Sequence, residues 1–235
     1  MNATILDAHK RSEIKMKELF EGIFSDGKRI YTKNLLHGKK VYGEKLLNEN
    51  GIEYREWNPF RSKYGAAIKK GLEKSIFSKG VSILYLGSAE GTTVSHVSDI
   101  LGEEGTIFCV DISEIAMKKL ALLAEQRENL FPVLSDAQKT ENYFETIKEV
   151  CGQVDALFQD ISQRNQAEIF LANAQVLKKK GLGVLSLKTK SISQKNKKEI
   201  LADEKKKLEK VFEIIQIVSL EPFEKEHYLI LVKKK

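Results

Sequence analysis

Apolar residues after about position 60 follow two rhythms. Compact runs such as SILYLGS, TIFCVDIS, LFPVLSDA, VDALFQDIS and GLGVLSLKT have the length of buried strands. Between them lie stretches in which apolar residues recur every three or four positions: TTVSHVSDIL, EIAMKKLALLAEQREN, YFETIKEVC, AEIFLANAQVLKKK and KKEILADEKKKLEKVF. These predict helices. FRSKYGAAIKKGLEK precedes the series with Tyr64, Ala67, Ile68 and Leu72 on one side of a further helix. EIIQIVSLE and HYLILVKK close it as two strands whose short link, Pro222 to Glu226, makes them an antiparallel pair at one edge. Such alternation implies an α/β fold, a mostly parallel seven-stranded sheet covered on both faces.

The first part of the chain reads differently. MKELFEGIFSDGKRIYTKNL suggests two short strands about a turn at Ser25-Asp26-Gly27, and HGKKVYGEKLL and IEYREW suggest more. The division expected is a polar extension over residues 1–15 with no role assigned, a small β-rich domain over 16–57, and the α/β domain over 58–235. The runs at Lys178–Lys180 and over 195–210 read as solvated helix faces.

Composition changes the picture little. With 42% hydrophobic and 31% charged residues the chain is globular, and no apolar run approaches the ~18 residues of a membrane span, so no membrane partner is expected. The start MNATILDAHKRSEIK lacks an apolar segment behind a basic flank, and two cysteines, Cys109 and Cys151, support neither a disulfide framework nor a zinc site. A cytoplasmic, reducing setting is expected, with no metal. The net charge of +6 suits a polyanionic partner such as RNA. The Lys/Glu bias fits a high-temperature source as readily as it fits codon composition.

Candidate chemistry gathers at predicted strand ends. In LYLGSAEGTTVSHV, Gly87 allows a sharp strand-to-helix turn and Gly91 a close approach of ligand to backbone. Ala89 stands where a dinucleotide loop has its middle glycine, which counts against a pyrophosphate and an NAD-dependent enzyme. Asp111 ends the second strand, where a carboxylate accepts ribose hydroxyls, and Asp136 ends the third, where an adenine edge would lie. Each is also a natural helix cap. Together they suit an adenosine ligand without phosphates, S-adenosylmethionine. Asp160 ends the fourth strand, Lys188 the fifth, His227 begins the last, and Lys63 precedes the sheet. One Asp and two Lys about a cleft form a constellation for deprotonating an alcohol.

VYGEKLLNENGIEYREWNPFRSKYGAAI, GSAEGTTVSHVSDILGEEGTIFCVDIS, VDALFQDISQRNQAEI and EPFEKEHYLILV closely resemble fibrillarin, in family order, from about Met16 to Lys235. The Gly/Arg-rich tail of eukaryotic members is absent, so the chain is similar to the archaeal form. The resemblance implies a Rossmann-like, S-adenosylmethionine-dependent RNA 2′-O-methyltransferase behind a small β-domain. It implies action on rRNA, and sometimes tRNA, inside a box C/D guide ribonucleoprotein with a Nop-family scaffold protein and a kink-turn-binding protein. It carries a catalytic tetrad onto Lys63, Asp160, Lys188 and His227. It carries cofactor contacts onto Thr92, Thr93, Asp111, Ile112, Asp136, Ala137, Asp160, Ile161, Ser162 and Gln163. Three positions depart from the family: Asp111 stands for its usual Glu, Glu90 for a small residue and Arg164 for a proline. The rival readings are a protein (glutamine side-chain) methyltransferase and a non-catalytic subunit of the particle.

Overall fold

The computed structural model describes residues 16–194 and 196–235; the extension at 1–15 and Lys195 lie outside the described residues. Two sheets make up the protein. The first has five antiparallel strands: β1 (Lys17–Phe20), β2 (Ile23–Ser25), β3 (Ile30–Lys33), β4 (Leu46–Glu49) and β5 (Ile52–Trp57), in the order β1-β2-β3-β5-β4. Three strands, not two, come from the opening segment. The Asp26 carboxylate accepts the N–H groups of Lys28 and Arg29 at the β2–β3 turn, and a second turn at Glu21–Gly22 splits off β1. HGKKVYGEKLL is a strand only at its end. Gly38 and Gly43 have positive φ, and the buried Glu44 carboxylate gathers the N–H groups of Val41 and Tyr42 into a turn.

The second sheet is built from β6 (Ser82–Leu86), β7 (Thr106–Asp111), β8 (Leu130–Leu134), β9 (Val154–Gln159), β10 (Leu177–Lys188), β11 (Phe212–Ser219) and β12 (His227–Lys234). Its order is β11-β12-β10-β9-β6-β7-β8, and every adjacent pair is parallel except those made by β12. The last strand of the chain is thus interior and β11 is the edge. The burial pattern gives the reason: Leu229–Val232 are fully buried, whereas in β11 only Phe212 and Val218 are buried and the rest are half-buried or exposed.

Helices α1 (Lys63–Lys69), α2 (Thr92–Leu101) and α3 (Glu114–Ala124) share one core with the sheet face and with Ile23, Ile30 and Trp57 of the small sheet. Helices α4 (Phe144–Cys151), α5 (Gln166–Asn173) and α7 (Lys197–Leu208) cover the other face; α6 (Thr189–Ile192) is one turn after β10. The helix expected over AEIFLANAQVLKKK stops at Asn173. Leu177 is fully buried and pairs with Val154, so the following lysines belong to a twelve-residue strand; they are solvated, as the charge run suggests, but not on a helix.

A buried ionic knot locks the small sheet to α2. Arg55 of β5 reaches Glu44 (2.6 Å) and Asp99 (2.7 Å), and Asp99 also takes Arg127 (2.7 Å), the hydroxyl of Thr32 (2.8 Å) and the N–H of Leu35 (3.1 Å). Burial opposes the Arg55 charge, but the two carboxylates outweigh it and raise its pKa. Burial lowers that of Arg127, against the pull of Asp99. Beside them His96 bridges Thr32 Oγ1 (2.8 Å) and Tyr42 Oη (2.7 Å) and stacks on Trp57 at 4.9 Å. Because Thr32 donates its proton to Asp99, it accepts from His96 Nδ1–H, which leaves Nε2 to accept from Tyr42.

Candidate active site

Parallel strands deliver their carboxyl ends to one rim of the sheet. Gly87 follows β6, Asp111 closes β7, Asp136 follows β8, Asp160 follows β9 and Lys188 closes β10. Because β12 runs the other way, its first residue, His227, arrives at the same rim directly opposite Lys188. Strand alternation then selects the face. Val184, Leu229 and Phe158 belong to the core under α1, so Lys188, His227 and Asp160, each an even number of positions away, fall on that side. Lys63, the first residue of α1, meets them there: its Nζ lies 2.9 Å from Asp160 Oδ2, with both side chains about one-fifth exposed.

The helix start that carries Lys63 is fixed from two directions. The Ser62 hydroxyl caps it by accepting Gly65 N–H (3.2 Å), and Thr93 Oγ1 donates to Ser62 Oγ (3.0 Å), tying the N-termini of α1 and α2 together. A cation at a helix N-terminus is unfavourable, and the Asp160 carboxylate offsets it. The ion pair therefore falls on Lys63. Lys188 has no side-chain hydrogen bond or ion pair among the described residues, whereas its main chain is held on both sides by Gln166. The Gln166 amide accepts Lys188 N–H (2.9 Å) and donates to Lys188 C=O (3.1 Å), and Gln166 is fully buried. Gln166 was not singled out from the sequence. Its place straight after Asn165 at the start of a helix was the available signal. The His227 Nδ1 lies 2.8 Å from Lys225 C=O, and its ring is buried.

Alongside this group runs a cleft of about 380 Å³ whose wall includes Gly87, Asp111, Ile112, Ala137 and Asp160 through Gln163. Its apolar surface comes from Ala89, Val110, Ile112, Ala137 and Ile161. Asp111 and Asp160 are its acidic groups, and no Lys or Arg lines it. Such a wall fits an uncharged purine nucleoside bearing a cation and offers nothing to a phosphate. Gly87 is required at its position. It has φ +83°, and a Cβ there would stand 2.2 Å from the Asp160 carbonyl oxygen, because β6 and β9 close together at this point. Asp111 is anchored rather than loose: Oδ2 accepts Ala89 N–H (2.8 Å) and Oδ1 accepts Ser113 N–H (2.9 Å).

Four expected contacts lie off the cleft wall. Thr92 and Thr93 open α2, with the Thr93 hydroxyl turned to Ser62. Asp136 folds its carboxylate onto Gln138 N–H (2.9 Å). Gly91 is off that wall too; with φ +92° its missing Cβ makes room for Leu123 and Leu120 of α3, 2.8 and 3.0 Å away. Glu90 points to the surface, paired with Lys119. Gln138, also missed in the sequence, bridges the third and fourth strand loops through Gln163 (3.0 Å) and Asn165 (2.9 Å).

A seven-stranded sheet with an antiparallel penultimate strand, a phosphate-free nucleoside cleft and a Lys–Asp pair at its end defines a Rossmann-like, S-adenosylmethionine-dependent methyltransferase. The fibrillarin family model matches residues 11–235. The fibrillarin-like rRNA/tRNA 2′-O-methyltransferase of Pyrococcus abyssi is 43% identical over 229 residues, covering 94% of this chain and 99% of its own. Aeropyrum pernix fibrillarin, solved with natively bound S-adenosyl-L-methionine, superposes with a TM-score of 0.81 at 38% identity, over 93% of this chain and 99% of that one. The fibrillarin of a fibrillarin/Nop5p complex gives 0.83 at 36%, over 93% and 100%. This chain belongs to the fibrillarin family.

Proposed function

We propose that this chain transfers the methyl group of S-adenosylmethionine to ribose 2′-hydroxyls of rRNA, and of tRNA, as the catalytic subunit of a box C/D guide ribonucleoprotein. The observation that carries this reading is the double membership of Asp160. It lines the nucleoside cleft and it also holds Lys63, so the donor and acceptor sites meet at one carboxylate. The names of the relatives support the RNA substrate, and the fibrillarin/Nop5p complex supports a Nop-family scaffold as partner. Guide RNA, held with a kink-turn-binding protein, supplies sequence choice by base pairing.

The bound cofactor supplies a methyl group on a sulfonium, which leaves as neutral thioether. Within the protein, Asp111 would accept the ribose hydroxyls, Ile112 and Ala137 would cover the base, and the 160–163 segment forms the remaining wall. Lys63, paired with Asp160, stabilises negative charge growing on the attacking 2′-oxygen. Lys188, with no carboxylate partner among the described residues, takes the hydroxyl proton onto the lone pair of its amine form. His227, opposite Lys188 in the β10–β12 ladder, positions it and the ribose. Holding the oxygen in line with the methyl contributes roughly 7–11 kcal/mol to lowering the barrier.

The test is transfer of labelled methyl in the reconstituted particle, with guide-paired RNA, for wild type beside Asp160→Ala and Lys63→Ala. Label should enter alkali-resistant dinucleotides for the wild type and fall at least about a hundredfold for Lys63→Ala, whose side chain lies off the cofactor wall, at unchanged cofactor affinity. Label in protein instead of RNA, or none at all from an assembled particle that binds the cofactor, would sink the reading.

A further inference from the structure

No stretch of the sequence carries an aromatic RNA-reading motif, yet the fold pairs two aromatic rings from the segments that lead into Lys63 and His227. Phe60 lies three residues before Lys63 and is 64% exposed, and Phe223 lies in the loop that leads to His227. Their rings meet edge to face at 5.0 Å. Both are held by backbone bonds. Asn58 Oδ1 accepts Phe60 N–H (2.9 Å) and Asn58 C=O accepts Arg61 N–H (3.0 Å). The 220–227 loop closes through Leu220 N–H to His227 C=O (3.0 Å) and Glu224 N–H to Leu220 C=O (3.1 Å). An edge contact engages only one side of a ring and leaves a face of Phe60 in water.

The surroundings select the occupant. Arg61, next to Phe60 in the chain, and Lys225, two residues after Phe223, are exposed, and the Arg61 guanidinium sits 5.0 Å over the Tyr42 ring. Of the neighbouring acids, Glu221 pairs with Lys197 (3.0 Å) and Glu224 lies 3.9 Å from His227 Nδ1. A rigid aromatic face flanked by cations suits a base and its backbone phosphates better than an acidic or apolar protein surface. We propose that Phe60, steadied by Phe223, is the platform on which a nucleotide next to the methylated one stacks, adding affinity for the RNA strand whatever its sequence. The proposal rests on the RNA-methyltransferase reading above.

The experiment uses the assembled particle with a guide-matched RNA carrying 2-aminopurine beside the acceptor nucleotide. For Phe60→Ala the KM for RNA should rise about tenfold, with kcat at saturation kept within about twofold and the 2-aminopurine quenching lost. Phe60→Tyr should restore both. Phe60→Leu, which keeps an apolar contact with Phe223 but no π-face, should behave as Phe60→Ala. An unchanged KM and quenching in Phe60→Ala, or full recovery by Leu, would overturn the proposal. So would failure of Phe60→Ala to assemble with the scaffold protein, which would make the face a protein contact. Absence of RNA methylation by wild type that binds the cofactor would instead defeat the underlying reading.

Discussion

Asp99 is where the small sheet can be detached from the methyltransferase layer by a single change. Its carboxylate, fully buried, balances two guanidiniums at 2.7 Å each and accepts the Thr32 hydroxyl and Leu35 N–H besides. Glu44 is the other acid of the knot, and among the described residues the only guanidinium it pairs with is that of Arg55. Asp99→Ala therefore leaves Arg127, two of whose guanidinium nitrogens already lack partners, as an uncompensated charge in the core. Removing one partner of a buried pair costs about 3–5 kcal/mol, against a total stability of about 5–15 kcal/mol. With a urea m-value of about 1–3 kcal/mol/M, the midpoint should fall by about 2 M. The only tryptophan, Trp57, stacks on His96 within this same interface, so its fluorescence reports the interface directly while circular dichroism reports the whole sheet. Adding Arg127→Leu should recover part of the loss, because it removes the stranded charge. A cost below about 1 kcal/mol for Asp99→Ala, or strictly additive losses in the double variant, would refute the reasoning.

Two further outcomes follow from buried groups. Gln166→Ala frees both the N–H and the C=O of Lys188; kcat should fall about tenfold to a hundredfold while cofactor affinity, measured by calorimetry, stays put, and an unchanged kcat would remove Gln166 from its positioning role. Burial first, then the Arg55 and Arg127 charges, hold the His96 pKa well below its ordinary value. The unfolded chain takes up that proton below about pH 6.5 and the folded one does not, so stability should drop as pH falls through that point, by up to about 1.4 kcal/mol per pH unit. Glu44 and Asp26, whose pKa values are lowered, titrate below this window. Urea titrations at pH 7 and pH 5 should give a smaller difference for His96→Gln than for wild type; an equal difference would exclude His96 as the source.

How the cofactor wall was legible is instructive at Gly87 and Gly91. In the sequence Gly87 reads as the sharp turn of the loop and Gly91 as the place where a ligand approaches the backbone. Only Gly87 meets the neighbouring strand's backbone at the cleft; Gly91 is a packing position against α3. Nothing local separates them, because the atoms that a side chain would strike belong to Asp160 in one case and Leu120 and Leu123 in the other.

Period and punctuation along the chain determined the order of strands and helices in the α/β layer, the placing of acids and lysines at strand ends, and through motif resemblance the family itself. These are properties of neighbours within a few residues, where hydrophobic spacing and turn chemistry act. Tertiary structure alone decided the rest. It placed β12 inside β11, ended α5 early so that Leu177 could be buried, gave Asp160 to Lys63 rather than Lys188, and brought Gln166 to the Lys188 backbone. It also set Phe60 against Phe223 and Arg55 against Asp99. Each of these depends on partners far apart in the chain, whose proximity comes from the closing of the sheet and the burial of charge, and such contacts leave no periodic trace in the sequence.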